Sequence, residues 1–179
     1  MPVPVGLNVW SRLMEDTFPY LDRTVSPFDS LWFPDHVQYG GNKVAEGWTM
    51  LAYALARYPD KLCGHEVLCN SFRTRELYAH KQHVLRRHCQ DAGRDYAAIT
   101  QVIRVGILIA ESERELEKLA AAPHVRPMEA GRLVGTPAQV TEALRAVIAQ
   151  GAHRLTVHFA DAPRPEGTWL FSAAVLPHL

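Results

Sequence analysis

Strand-like apolar runs alternate with helical patterns along the whole chain, and this alternation limits the fold more than any other feature. Residues 3–9 read as a short strand. Residues 29–33 form a second, closed by Pro34, and residues 61–69 a third with Cys63, His65, Val67 and Cys69 on one side. Residues 102–110 make a β-branched fourth strand and residues 154–159 a fifth. Helical stretches separate them. Residues 11–22 are amphipathic at best, while residues 46–58 carry Trp48, Leu51, Ala52 and Leu55 on one face. Residues 75–92 turn Leu77, Val84, Leu85, His88 and Cys89 inward and stop at Gly93. Ser112 and Glu115 make a capping box. Thr136-Pro137-Ala138-Gln139 opens a helix that buries Val140, Leu144, Val147 and Ile148 and ends at Gly151. Residues 167–176 are the last helix.

Strands joined through helices pair in parallel, with right-handed crossovers. The predicted class is therefore α/β, in one domain spanning residues 1–179. A complete eight-unit barrel needs ~250 residues, about 31 for each strand and helix. A chain of 179 residues holds five or six such units and cannot complete the ring. Residues 123–132 read as the most flexible loop.

Composition excludes several classes. With 47% hydrophobic residues the chain can bury a core, which argues against disorder. Nineteen basic and 19 acidic side chains balance, so nothing in the net charge points to nucleic acid or an anionic membrane. No apolar run reaches the ~18 residues that span a bilayer. Cys63, Cys69 and Cys89 are odd in number and lack a C-x-x-C spacing, and Met-Pro-Val-Pro-Val-Gly at the start has no signal-peptide pattern. A cytoplasmic location is the expectation.

Asp29-Ser30-Leu31-Trp32-Phe33-Pro34-Asp35-His36 followed by Glu46-Gly47-Trp48-Thr49-Met50-Leu51-Ala52 resembles the second strand and helix of the luciferase-like monooxygenases, flavin- and deazaflavin-dependent TIM-barrel oxidoreductases. Val67-Leu68-Cys69-Asn70-Ser71-Phe72-Arg73 is similar to the end of their third strand. Ala92-Gly93-Arg94-Asp95, Val134-Gly135-Thr136-Pro137 and His158-Phe159-Ala160-Asp161-Ala162-Pro163 resemble their final units. The glycine-rich fourth strand, the Ile-Gly-Gly strand and the Ala-Asp-Gly-Trp segment of the family are absent. Instead Arg73 runs into Thr74-Arg75-Glu76-Leu77, similar to the helix before the seventh strand. The resemblance thus implies an incomplete (β/α) barrel remnant of about five parallel strands, in the order 7-8-1-2-3 of the parent, lacking the equivalents of strands 4–6. Residues 1–73 correspond to the first three units and residues 74–179 to the last. Strands deprived of their neighbours expose edges, so a homodimer that covers them is expected.

By the same resemblance, His36 is the histidine beside the reactive face of the flavin, with imidazole suited to proton exchange near neutral pH, and Asp35 orients it. Strand ends at the carboxyl rim of a barrel carry the other candidates: Asn8, Cys69, Asn70, Ser71, His158 and Asp161 for cofactor binding. A lone Cys69 without a neighbour that lowers its pKa is a poor nucleophile. His80, His83 and His88 share a helix without forming a convincing ligand set, and no metal is expected. FMN or a deazaflavin is the implied cofactor, bound weakly because the missing strands hold much of the phosphate cradle; no G-x-G-x-x-G or P-loop replaces it. Two functions follow. One is a flavin-dependent oxidoreductase or monooxygenase acting on a small molecule. The alternative is a non-catalytic dimeric binding or regulatory remnant.

Overall fold

The computed structural model describes residues 3–9, 13–34, 44–66, 70–71, 74–125 and 132–179. Among these residues seven strands and six α-helices follow in sequence: β1 (Val5–Asn8), α1 (Met14–Thr24), β2 (Ser30–Pro34), α2 (Gly47–Arg57), β3 (Leu62–Glu66), β4 (Asn70–Ser71), α3 (Arg75–Asp91), β5 (Val102–Ile109), α4 (Glu113–Ala120), β6 (Leu133–Gly135), α5 (Pro137–Ile148), β7 (Arg154–Phe159) and α6 (Glu166–Ala174). All strand pairs are parallel, in the order β3-β2-β1-β7-β5-β4, with β6 also beside β5. The five long strands therefore stand in the neighbour order expected from the sequence. Two short strands add to it. They share the edge of β5 that faces away from β7: β4 pairs at Ile103 and Arg104, β6 at Ile107 to Ile109.

The sheet curls strongly. β3 and β4 sit at opposite ends of the hydrogen-bonded row, yet Glu66 and Asn70 are four residues apart. Four Cα–Cα steps of 3.80 Å reach at most about 15 Å. The two ends of the row are thus brought near each other, although hydrogen bonds do not close the ring among the described residues.

Alternation along the strands separates two faces. Val5, Leu7, Leu31, Phe33, Ile103, Val105, Ile107, Leu155, Val157 and Phe159 pack outward under the helices in one apolar core. Fully burying each such side chain contributes roughly 1.5–3 kcal/mol. The opposite, inward face carries Gly6, Ser30, Trp32, Gly64, Arg104, Gly106, Thr156 and His158, with Leu108 as a buried apolar member. Here large rings lie beside glycines on the neighbouring strands. A Cβ on Gly6 would fall 2.6 Å from Trp32 Nε1, one on Gly64 3.3 Å from the same indole, and one on Gly106 2.9 Å from His158 Nε2. At the amino-terminal ends of the strands, Ser30 Oγ donates to Asp29 Oδ1 (2.7 Å) and accepts from Trp32 Nε1 (2.9 Å) and Arg154 Nη1 (3.0 Å). Arg154 also pairs with Asp29.

Caps set the helix ends. Glu46 accepts from the Trp48 and Thr49 amides at 2.9 and 2.8 Å. Ser112 Oγ accepts from the Glu115 amide at 3.3 Å, and Gln139 Oε1 from the Thr136 amide at 2.8 Å. Gly93 (φ 62°) and Gly151 (φ 99°) supply left-handed turns after α3 and α5, a backbone conformation that costs a side-chain-bearing residue more.

Two helix faces differ from the sequence reading. On α2 the buried residues are Gly47, Met50, Leu51 and Ala54, while Trp48, Ala52 and Leu55 face solvent. On α3 the buried set is Tyr78, Gln82 and Cys89, with Leu77 exposed. Gln82 wins its place through a bond from Nε2 to the Gln150 carbonyl (2.9 Å), tying α3 to the end of α5. Most of the loop expected over residues 123–132 lies outside the described residues.

Gly106→Ala is expected to lower stability by about 1–3 kcal/mol, the usual cost of overpacking. The new methyl would press on the His158 ring, which is buried and 2.9 Å from that Cβ position at Nε2. Urea denaturation of the variant measures the loss, and an unchanged midpoint would show that the ring is not confined there.

Candidate functional site

The carboxyl ends of β1, β5 and β7 lie side by side in the described part of the rim. Asn8 ends β1 and is buried. It lines a small cavity of about 20 Å³ with Val9, Thr17, Tyr20, Phe159, Ala162 and Pro163. That is room for one water and no more.

His158 is not a rim residue. It stands one position before the end of β7, in register with Gly106, and its ring is packed over that glycine on the inward face. The side chain of Arg132 approaches the same point, 3.4 Å from where a Gly106 Cβ would lie. Arg104, two residues earlier on β5, shares that face. Two guanidinium-bearing residues and an imidazole therefore gather on the inner wall of β5 and β7. Neither arginine was singled out from the sequence. The period-two alternation of residues 102–109 does place Arg104 on the side opposite the isoleucines.

Asp161 follows β7 and is 3% exposed. Its Oδ2 accepts from the Gly167 amide in the first turn of α6 at 3.0 Å. The approach is so close that a Cβ on Gly167 would meet that carboxylate oxygen at 2.7 Å. Asp161 thus acts as a cap reaching across from the preceding loop, favoured by the helix dipole. Burial raises its pKa above the ordinary carboxylate value, and the charge of Glu166 adds to this; the Gly167 amide and His124 oppose it. Tyr20, whose hydroxyl bonds Thr168 Oγ1 at 2.7 Å, is pushed up to about 12, chiefly by burial.

Beside Asp161 opens a groove of about 540 Å³ between α4 and α6. Ile109, Leu119, Ala122 and Leu170 supply its apolar wall, and Glu115, Lys118, His124, Arg164 and Glu166 its charged edge. The Nε2 atom of His124 is buried there with no hydrogen-bond partner.

Asp35, His36 and Cys69 lie outside the described residues. Asn70 and Ser71 are described as the backbone of β4, paired with Ile103 and Arg104. The geometry thus brings Asn8 and Asp161 to the rim, sets His158 below it, and places Asn70 and Ser71 along the far edge of β5. Among the described residues no cluster of three or more His, Cys, Asp or Glu could hold a metal, and no helix is long and apolar enough to cross a membrane.

No family model and no curated protein matches the sequence. Among solved structures, an F420-dependent secondary alcohol dehydrogenase, in complex with an F420-acetone adduct, superimposes with a TM-score of 0.70. The match covers 99% of each chain at 9% sequence identity. The two chains share a fold. At that identity the likeness is one of architecture alone.

The raised pKa of Asp161 has a definite consequence for stability. A carboxyl harder to ionise when folded favours the folded state while protonated. That advantage is complete below the unfolded value, near 3.8, and is lost as pH rises toward the higher folded value. Asp161→Asn keeps an oxygen for the Gly167 amide and removes the charge. Its stability relative to wild type should therefore rise as pH climbs above that unfolded value, as followed by thermal melts. A flat difference would mean that Asp161 ionises as easily folded as unfolded.

Proposed function

We propose that the chain is a luciferase-like, deazaflavin-dependent oxidoreductase domain shortened by loss of the parent's strands 4–6. One observation carries this reading. The segment that the resemblance assigns to strand 3 pairs with β2 at its start, as β3, and with β5 at its end, as β4. β5 is the equivalent of strand 7. Joining strand 3 to strand 7 is what removal of the intervening three requires. The shared fold of an F420-dependent secondary alcohol dehydrogenase supports the choice of a deazaflavin over FMN.

Room decides which residues fit such a group. Small-molecule sites occupy roughly 300–1,000 Å³; the groove beside Asp161 has that volume, and the cavity at Asn8 does not. Asp161 would border the bound ring system, with Asn8, Cys69, Asn70, Ser71 and His158 proposed to complete its surroundings. A bound deazaflavin supplies two-electron redox chemistry. His36 would exchange the proton of a substrate hydroxyl or carbonyl oxygen, and Asp35 would hold its imidazole in one orientation. Binding should be weak, because the sequence has no G-x-G-x-x-G or P-loop motif to cradle a phosphate. A homodimer in the cytoplasm is part of the proposal.

The second reading, a non-catalytic binding or regulatory remnant, draws on Asp161 and His158. Both are buried and committed to packing and capping.

Fluorescence titration with F420 and with FMN separates the two. The enzyme reading expects saturable binding of F420 with Kd of roughly 10–100 μM, about 5.5–7 kcal/mol, and weaker binding of FMN. His36→Ala should retain that binding and lose F420-dependent alcohol oxidation. No saturation by either cofactor at millimolar protein would leave the remnant reading.

A further inference from the structure

The head of α6 opens onto the groove beside Asp161, through Glu166 and Gly167. In α/β barrels a phosphate site is often formed by the loops after the seventh and eighth strands and a helix amino terminus. There the unbonded amides and the helix dipole favour an anion. In the reading proposed above, β5 and β7 are the equivalents of those two strands. In this chain the position is filled from within. The Asp161 carboxyl is 3% exposed and accepts from the Gly167 amide at 3.0 Å. A Cβ on Gly167 would meet its Oδ2 at 2.7 Å and its Oδ1 at 2.8 Å. Both carboxyl oxygens therefore lie against the first turn of α6, and a phosphate at the Gly167 amide would have to expel them. Burial makes this carboxyl harder to ionise, with Glu166 adding to the effect and His124 opposing it. Protonated or not, it occupies the position.

The rest of the lining adds repulsion. Glu111, Glu115 and Glu166 border the groove together with Asp161, and Lys118 and Arg164 are set against them. A phosphate brought there meets more carboxyl groups than cations, within the ~8 Å over which exposed charges act at physiological salt. An uncharged flat ring meets no such penalty. Ile109, Leu119, Ala122 and Leu170 offer it an apolar wall, and about 540 Å³ is room for a ring system.

We infer that the groove takes an uncharged, deazaflavin-type ring that carries no phosphate, the anion position at the head of α6 being closed by the chain's own Asp161. The inference rests on the deazaflavin reading and narrows it: the ring system gains from the groove, and a phosphorylated tail does not.

Fluorescence titration with deazariboflavin and with its phosphate monoester tests this, because the two ligands differ in the phosphate alone. At low salt, where screening is weak, the ester should bind roughly tenfold more weakly. Asp161→Gly opens the head of α6 and should bring the ester to the affinity of the parent compound or beyond. Inorganic phosphate at ~10 mM should raise the melting temperature of that variant and not of wild type, since only a bound ligand stabilises the fold. If Asp161→Gly fails to fold, Glu166→Gln at its exposed position should narrow the gap about two- to threefold. An ester that binds wild type as tightly as deazariboflavin overturns the proposal, and F420 binding would then leave the deazaflavin reading standing. A folded Asp161→Gly protein that still rejects the ester overturns it too. Uptake of deazariboflavin without uptake of F420 supports the proposal and counts against F420 as the cofactor. If none of the three ligands saturates the protein, both fall.

Discussion

Space on the inner face of the sheet is the constraint on which the rest of this structure depends. An eight-stranded barrel has an interior just wide enough for side chains to fill it. Here five long strands and two short ones curl until β3 and β4 are joined by a few residues, so the curve is tighter. Trp32 can lie inside because Gly6 and Gly64 yield room on either side, and His158 because Gly106 does. Trp32 is in register with Gly64 and His158 with Gly106, so a slip of one residue would replace each glycine by a position that carries a side chain. Packing inside the roll thereby helps to hold the register that the apolar outer face also demands.

That interior carries polar groups, and these need partners. Ser30 meets the need at the amino-terminal end by using one hydroxyl three times, once as donor and twice as acceptor. It links β2 to β7 across β1, through Arg154. The ionic part of this knot, Arg154 with Asp29, is only partly shielded and adds less than the hydrogen bonds that orient it. Its importance is positional: it ties the amino-terminal ends of β2 and β7 together.

Much of the architecture was legible because local signals agreed. β-Branched strands, capping residues and terminal glycines placed the five long strands and most helices, and the length excluded a full barrel. Helix faces were less legible. On α2 the residues Trp48, Ala52 and Leu55 make as good an apolar stripe as Met50, Leu51 and Ala54, and periodicity cannot say which of two apolar faces meets the sheet. On α3 a buried Gln82 outranks Leu77 because its amide finds the Gln150 carbonyl, a pairing 68 residues away in sequence. Among site residues, the motif around His158 and Asp161 was recognisable but not the division between them. Strand parity puts His158 inside the roll. The spacing from Asp161 to Gly167 is a cap signal, visible only once α6 is known to begin at Glu166. Arg104 and Arg132 went unnoticed because a lone arginine in a strand or before one carries no motif.

The division of labour at the rim follows from these placements. Trp32 and His158 take up space on the inward face of the sheet, and the cavity at Asn8 has room for one water. Among the described residues, the groove between α4 and α6 is large enough for a small molecule. There the wall is the least buried part of the fold: α4 has no fully buried residue and touches the sheet through half-buried Leu116 and Leu119. Such a helix can shift at small cost, because little apolar area is lost when it does. Asp161 cannot follow, being bound to the first turn of α6. A rigid carboxyl on one side and a loosely seated helix on the other give the groove one fixed wall and one adjustable wall. The shape of the groove would then follow α4, while Asp161 stays where the Gly167 amide holds it.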